Sequence, residues 1–445
     1  GLRASSPVGS TSFVGRLCAC ASLRAVVFLA PPAGISSKRL PIARNCADSL
    51  CLPAMERTGV ELAVGLVVGA VAVMIMNPAN FSFSGLASMA ALLLLVGPMA
   101  WKGLRLTLTF VSSLSKSKKH DKIDGYNNQY DNSKSANDRN KDYAKLVDSY
   151  YDLATEFYEW GWGTSFHFAD RREGETFQQS ILRHEYFLAG RMNISKGTTV
   201  LDCGCGIGGP ARNIARFTGA NIKAITINQF QVNRGNAISV REGIRDQVEL
   251  IQGDFMKLPF EDNSFDAVYA IESTCHAPDR SGVYGEIMRV LKPGGVFACY
   301  EWCLTDKYDA KDERHRKLKR DIEVGDGLPD LVHTSVCTKA LKDAGFEVSE
   351  ARDFMQDGHL GSGGEPWYTP LTASWNPTKW PRFQFNPIMF RLLPLILTFC
   401  ELIKLVPEGT TKTQVMLQAG GIGCAEGGMT GCFTPAWLMV GRKPL

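Results

Sequence analysis

A chain of 445 residues, 45% hydrophobic and 21% charged, has ordinary globular composition and enough apolar material for one large domain with appendages. Its formal net charge of +4 is small and both signs are interspersed through the middle of the chain. That excludes the clustered basic face of a nucleic-acid binder. The 13 cysteines are odd in number, scattered and without a C-x-x-C pair, which argues against zinc and for free thiols in a reducing compartment.

Residues 1–54 hold six Arg/Lys against a single acid, Asp48, and are rich in Ser, Ala and Pro. This composition fits an organelle transit peptide. It fits equally a stretch upstream of the native start, because Met55 opens a more protein-like segment. Two apolar runs follow, "VELAVGLVVGAVAVMIM" (60–76) and "LASMAALLLLVGPMAW" (86–101), separated by the helix breaker Asn77-Pro78. Each is slightly short of the roughly 20 residues that cross a bilayer. Residues 55–111 are therefore expected to anchor the chain to a membrane, as a two-helix hairpin or as one span plus an interfacial helix. Lys102, Arg105, Lys116, Lys118 and Lys119 flank the runs, so the remainder should face the cytosol. Residues 112–142, polar and almost free of aliphatics, read as a linker.

From Thr198 strands and helices alternate. "TTVLDCG", "NIKAITIN", "QVELIQGDF", "FDAVYAIES" and "GGVFACYEW" read as strands, and "GPARNIARFTG", "QFQVNRGNAISVREG" and "GVYGEIMRVL" as helices. The expected fold class is α/β, a Rossmann-like sheet with helices on both faces and ligands at the carboxyl ends of its strands.

The sharpest motif is "VLDCGCGIGGP" (200–210). A strand ends in Asp202, Gly204, Gly206 and Gly208 follow, and Pro210 opens a helix. Neither the dinucleotide fingerprint nor the P-loop has this form, and no Lys is present to grip phosphate. A carboxylate at the strand end suits an aminoacyl ammonium group instead. Cys205 sits within the loop as a small filler. At the end of the second strand Asn228 and Gln229 stand where a ribose-binding side chain is expected. Asp254 could accept from an adenine amine, Phe255 offers an apolar wall, and Ile271 and Glu272 close the fourth strand at the sheet's mouth.

Asp202, the glycines, Asp254 and the "LKPGG" turn (291–295) together resemble the class I S-adenosylmethionine-dependent methyltransferases. The resemblance narrows outside the glycine loop. "YYDLATEFYEWGWGTSFHF", "IESTCHAPDR", "YEWCLTDKYD", "EVGDGLPDL" and "CFTPAWLMVGRKP" look like the sterol C-24 methyltransferases, from about residue 120 to the C-terminus. In that family the aromatic stretch often reads Y-E-Y-G-W-G; here Trp160 takes the variable place. The resemblance implies S-adenosylmethionine as co-substrate, no metal, and a Δ24 sterol, cycloartenol-like or 24-methylene, as acceptor.

That chemistry accounts for the residue types. An alkene nucleophile needs no deprotonation, so no Ser-His or Cys-His pair is required. Methyl transfer leaves a carbocation, which aromatic faces stabilise by about 0.5–2 kcal/mol each and a carboxylate stabilises further in a dry site. A base must finally remove a proton. Tyr158, Trp160, Trp162, Phe166 and Phe168 are the candidates for the cation's walls, with Glu159 as counter-charge or base. His167, Glu272 and His276 are further candidates for orienting the co-substrate or taking the proton. Glu301 and Trp302 are second-tier wall residues, and Asp326 in "GDGLPD" either helps bind the sterol or is a turn residue. The sterol 3-hydroxyl needs a polar partner far from the reacting end, and no residue singles itself out.

The methyltransferase core is expected over 143–310 and a sterol-binding or lid region over 311–445. Within the latter, "PIMFRLLPLILTFCELIKLV" (387–406) is apolar but holds Arg391, Glu401 and Lys404. It reads as a substrate-lining or membrane-contacting helix pair broken at Pro394. The expected setting is the endoplasmic reticulum membrane, with a plastid the lesser reading, and self-association into a homo-oligomer is compatible with it. The rival readings are another lipid C-methyltransferase, such as a tocopherol-type enzyme, and a membrane-tethered sterol-binding protein without turnover.

Overall fold

The computed structural model describes residues 120–130, 134–355, 363–375 and 382–445. The expected leader (1–54) and membrane segment (55–111) lie outside the described residues. In chain order the elements are α1 (His120–Asn127), α2 (Ala136–Lys141), α3 (Tyr143–Trp162), α4 (Phe177–Arg191), β1 (Thr199–Cys203), α5 (Gly209–Thr218), β2 (Asn221–Thr226), α6 (Gln229–Arg241), β3 (Val248–Gln252), β4 (Phe265–Ile271), α7 (Arg280–Val290), β5 (Leu291–Leu304), α8 (Glu313–Asp326), α9 (Thr334–Asp343), β6 (Glu347–Asp353), α10 (Pro387–Leu402), α11 (Thr410–Thr430) and β7 (Phe433–Arg442).

Seven strands form one sheet in the order β3-β2-β1-β4-β5-β7-β6. β1 to β5 pair in parallel, and β7 runs antiparallel to both β5 and β6. Successive residues of a strand point to opposite faces, so each strand feeds two cores. Val200, Tyr269 and Tyr300 enter one, which also takes Leu188 of α4 and Ile214 of α5. Leu201, Val268 and Cys299 enter the other, against Ile287 of α7 and Leu341 of α9. The strand order reverses between β1 and β4, and the crevice at such a switch point is where ligands of open α/β sheets bind.

Three expectations are corrected. The described part of the 112–142 linker is folded and docked: Ile123, Tyr126 and Tyr130 are buried. Tyr130 donates to the Leu328 carbonyl at 2.9 Å, and the Arg139 Nε donates to the Pro329 carbonyl at 2.9 Å. The segment has few aliphatics, but tyrosines bury a large apolar ring and satisfy their hydroxyls on backbone. The division at residue 310 does not separate core from lid, because β6 and β7 complete the same sheet. Pro394 does not break the 387–406 stretch into a pair; α10 runs through it as one helix. Among the described residues no helix is long and apolar enough to cross a membrane.

Candidate active site

The glycine loop follows β1 at the switch point. Gly204, Gly206 and Gly208 have φ of 95°, 53° and 76°, in the left-handed region that glycine alone adopts without strain. A Cβ on Gly204 would lie 2.3 Å from the Ser273 Cβ, and one on Gly209 2.0 Å from the Thr164 carbonyl oxygen. The loop is thus pressed between the end of β4 and the segment that follows α3. A cleft opens beside it, lined by Gly204, Gly206, Thr226, Asp254, Phe255 and Ser273, with Tyr143 and Tyr151 of α3 across from them.

Of the residues expected to hold the co-substrate, Gly204, Gly206, Asp254 and Phe255 line this cleft. Tyr143 donates its hydroxyl to Asp254 and its ring stacks on Phe255 at 6.5 Å. Asp202 is buried behind the loop and accepts from the Tyr269 hydroxyl at 2.9 Å; burial pushes its carboxyl up to about 7. Cys205 and Ile271 are buried core residues. Asn228 does not face the cleft. Its carbonyl oxygen caps α6 by accepting from the Gln231 N–H at 3.0 Å, and its amide donates to the carboxylates of Asp148 and Asp152, each at 2.8 Å. Gln229 is exposed and donates to Asn233. The side chains that do reach the cleft from β2 and α6 are Thr226 and Gln231, hydrogen-bonded to each other at 2.7 Å.

A second, larger cavity lies on the far side of Tyr151 and His276, the two side chains common to both. It holds about 1120 Å³ of empty space, its open mouth included. Aromatic faces dominate one end: Phe157, Tyr158, Trp162, Phe166, Phe168 and Trp302. Tyr158 lies edge-on to Trp162 at 6.0 Å, Trp162 edge-on to Phe168 at 6.1 Å, and Phe168 stacks on Trp302 at 5.8 Å. α3 carries Tyr151, Tyr158 and Trp162, which fall on one side at steps of seven and four residues, with Phe157 at the border of that face. Trp160 lies in α3, and its side chain is outside the described residues. Of the two second-tier wall residues Trp302 lines the cavity; Glu301 is buried under the opposite sheet face, bonded to Tyr284 at 3.0 Å.

Glu159 is not in this cavity. Its carboxylate forms a two-pronged pair with the Arg234 guanidinium of α6, at 2.8 and 3.0 Å, on the partly exposed side of α3. Glu159 stands about 100° round α3 from Tyr158, and its pair with Arg234 holds it on the side that faces α6.

The acids that do line the cavity are Glu272 and Asp326. Glu272 adopts φ 53°, a left-handed conformation costly for a non-glycine residue. Its two oxygens accept from the Phe168 backbone N–H and the Trp302 indole N–H, each at 2.8 Å. Burial raises its carboxyl to about 8 against the opposing charge of His167. Asp326, at the end of α8, has weaker company: the Tyr158 hydroxyl at 3.2 Å and the Cys424 thiol at 3.7 Å. Burial raises it to about 7.

The two histidines differ. His167 has acceptors on both ring nitrogens, the Phe168 carbonyl at 2.9 Å and Glu185 at 3.1 Å. Burial pulls its pKa down, but the Glu185 carboxylate more than offsets that and the net shift is upward. An imidazolium donating at both nitrogens has no lone pair for a proton. His276 donates from Nδ1 to the Gly327 carbonyl at 3.0 Å, which leaves Nε2 to accept from the Tyr151 hydroxyl at 2.9 Å. Burial lowers it to about 4, so it is neutral. Among the described residues His167, His184 and Glu272 approach one another closely enough to hold a metal ion. Both nitrogens of His167 and both oxygens of Glu272 are already engaged in hydrogen bonds.

Sequence reasoning passed over Tyr151, Thr226, Gln231, Gln414, Gln418 and Cys424. Tyr151 stands inside the quoted aromatic stretch; the three on α11 lie far away in sequence, and only packing brings them to the cavity.

Two family models match the chain: Methyltransferase domain over residues 201–299 and Sterol methyltransferase C-terminal over residues 381–445. A cycloartenol-C-24-methyltransferase of Arabidopsis thaliana is 45% identical over 307 residues, 69% of this chain and 89% of that protein. A sterol 24-C-methyltransferase of Saccharomyces cerevisiae is 45% identical over 312 residues, 69% of this chain and 80% of that protein. Among solved structures, a putative sarcosine dimethylglycine methyltransferase from Galdieria sulphuraria is 23% identical with a TM-score of 0.47, covering 65% of this chain and 98% of its own.

Proposed function

The chain belongs to the sterol 24-C-methyltransferases, and from that premise we propose that it transfers a methyl group from S-adenosylmethionine to C-24 of a Δ24 sterol side chain. The observation that carries this reading is the aromatic cavity abutting the glycine-loop cleft at Tyr151 and His276. Ser273 packs where a Cβ on Gly204 would lie, so Gly204 and Gly206 offer this cleft main chain and no side chain. Gly204, Gly206, Thr226, Asp254 and Phe255 are the residues to hold the co-substrate, with Asp202 shaping the loop from behind. When bound, S-adenosylmethionine supplies an electrophilic sulfonium methyl.

The chain's own residues then have three tasks. Tyr158, Trp162, Phe166, Phe168 and Trp302 exclude water and turn π faces toward the cation left on the side chain. Asp326 supplies the compensating charge. Glu272 has two N–H donors and a neighbouring imidazolium, whereas Asp326 has only a hydroxyl and a thiol. Ionised Asp326 is the least compensated anion in the cavity, so a cation gains most from it. Tyr151 and His276 remove the proton: it passes to the Tyr151 oxygen while the Tyr151 hydroxyl proton moves to Nε2 of His276. The carbon–hydrogen bonding pair becomes the new double bond.

The membrane setting belongs to the same reading. α10 buries none of its described residues, and Leu395, Phe399 and Leu402 are 65%, 59% and 78% exposed. Phe385, just before α10, lines the cavity and packs on Gly421 of α11. α1, into which the N-terminal segment leads, pairs through Asp124 with Lys412 beside the turn joining α10 and α11. An interfacial apolar helix beside the cavity mouth would let a sterol pass in from the bilayer. The endoplasmic reticulum, with the catalytic part facing the cytosol, fits these features.

Incubation with S-adenosylmethionine and, in parallel, cycloartenol, lanosterol, zymosterol and a 24-methylene sterol, read by product mass, tests the reading. A gain of one methylene on a Δ24 sterol is expected. Methylation of tocopherol precursors with none of the sterols overturns it.

A further inference from the structure

α11 runs along the cavity. Gln414, Leu417, Gln418, Gly421 and Cys424 line it from one helix face. The two glutamines are 9% and 6% exposed, and the Gln414 Nε2 donates to the Gln418 Oε1 at 3.0 Å. The Gln414 Oε1 and the Gln418 Nε2 are buried and meet no hydrogen-bond partner. The conclusion survives exchange of O and N in both amides. A hydrogen-bonded pair of carboxamides always leaves one acceptor oxygen and one donor nitrogen over.

Buried unpaired amide atoms are rare, because each forfeits roughly 1–3 kcal/mol of hydration. Their chemistry is specific. One acceptor beside one donor matches a group that donates and accepts at a single atom, which is a hydroxyl. A carboxylate or phosphate would meet the Gln414 oxygen with its own negative charge, and an ammonium would meet the Gln418 N–H groups.

Position adds a second constraint. Cys424 contacts Asp326 at 3.7 Å, the acid assigned to the cation. Gln418 and Gln414 stand six and ten residues before Cys424, roughly 9 and 15 Å along a helix axis. The longer of these is comparable to the span of a sterol from its 3-hydroxyl to its Δ24 bond. We propose that Gln414 and Gln418 form the site for the sterol 3-hydroxyl: the hydroxyl donates to Oε1 of Gln414 and accepts from Nε2 of Gln418. α11 then acts as a ruler that places C-24 beside Asp326. This rests on the sterol methyltransferase reading and deepens it.

The test compares a 3β-hydroxy Δ24 sterol with its 3-deoxy analogue, using the full chain and the variants Gln414→Met, Gln418→Met and the double. S-Adenosylmethionine binding by calorimetry serves as the check that each variant folds. The unaltered protein should favour the hydroxy sterol by at least about tenfold in kcat/KM, since a site built for a hydroxyl rejects its absence. Each single variant should cut that preference, and the double should bring it to about one with S-adenosylmethionine binding retained. An unaltered protein indifferent to the hydroxyl overturns the proposal and leaves a bridging water as the pair's partner, while the function stands. A preference that persists in the folded double variant, or in the single variant still folded if the double is not, overturns it as well. Methylation of neither sterol takes down the reading and the inference together.

Discussion

The glycine-loop cleft and the aromatic cavity share Tyr151 and His276 yet are built in opposite ways. The cleft is a backbone object: three left-handed glycines in five residues bring the main chain within contact of Ser273, while Gly209 does the same against Thr164. The cavity is a side-chain object assembled from α3, the loop after it, β5, α8 and α11. A backbone site is specified by what cannot be added, because a Cβ has nowhere to go. A side-chain site is specified by which charges lack partners, because water is excluded and each unpaired group carries weight. The two regions should therefore separate cleanly under mutation.

The largest separation is expected at Asp326. Asp326→Asn keeps nearly the same volume and removes the charge facing the cation. Turnover should fall about 10²–10³-fold, the usual scale for losing one preorganised electrostatic contact, while the dissociation constant of S-adenosylmethionine stays within about twofold. Single-turnover kinetics beside calorimetry reads both. An equal loss in both quantities would merge the two regions and remove Asp326 from the cation's side.

Protonation sharpens the same contrast. Burial raises Asp326 to about 7, so in the free protein it is neutral below that pH and charged above. If the charged form is required, kcat/KM should climb about tenfold per pH unit up to 7 and level off above. His276, lowered to about 4, adds no limb near its ordinary pKa. Stability moves the other way. The folded state holds this proton more tightly than the unfolded chain, whose carboxyl titrates near 3.8. The contribution is full below that value and is lost as pH rises through 7. Melting temperature should fall across the interval in which activity rises, and Asp326→Asn should remove the activity limb. A profile unchanged in the variant would assign the limb to another group.

These contrasts also explain what the sequence disclosed. Asp202 and its glycines were legible because a tight turn demands particular residues at fixed offsets, and neighbours in sequence are neighbours in space. The aromatic segment was legible in kind, since Tyr158, Trp162, Phe166 and Phe168 do share a cavity. The ribose assignment to Asn228 missed because its amide caps α6 and spends both N–H donors on two carboxylates of α3. Nothing local announces that Asp148 and Asp152 will lie there. Gln414 and Gln418 look like ordinary polar positions of a glycine-rich helix until α8 and α11 pack at Gly325 and Gly420, where a Cβ would approach within 2.2 Å. Chemistry written in adjacent residues can be read from the chain; chemistry assembled by helix packing cannot.

Trp162 gives a middle-sized effect. Trp162→Leu preserves apolarity and removes one π face between Tyr158 and Phe168. A single cation–π contact of about 0.5–2 kcal/mol corresponds to roughly a 2- to 30-fold loss in turnover. The methylated product should also shift toward early proton loss, because a less stabilised cation lives for a shorter time. Quantifying product ratios by mass separates this from weaker sterol binding, which would leave the ratios as they were.

The smallest effect is expected one residue from the cavity wall. Glu159 shares α3 with Tyr158, and as the acid beside so many rings it has the composition of a cation's partner. Its carboxylate is instead held by both prongs of Arg234 on the partly exposed face. An exposed ion pair of this kind is worth about 0–1 kcal/mol. Glu159→Gln should therefore leave turnover within about twofold and shift the melting temperature only slightly. Arg234→Gln should behave the same way, since each variant removes one half of a single surface pair. A hundredfold loss of turnover in Glu159→Gln with none in Arg234→Gln would mean that α3 rotates when sterol binds and carries Glu159 inward. The identity of the cation's counter-charge would then pass from Asp326 to Glu159.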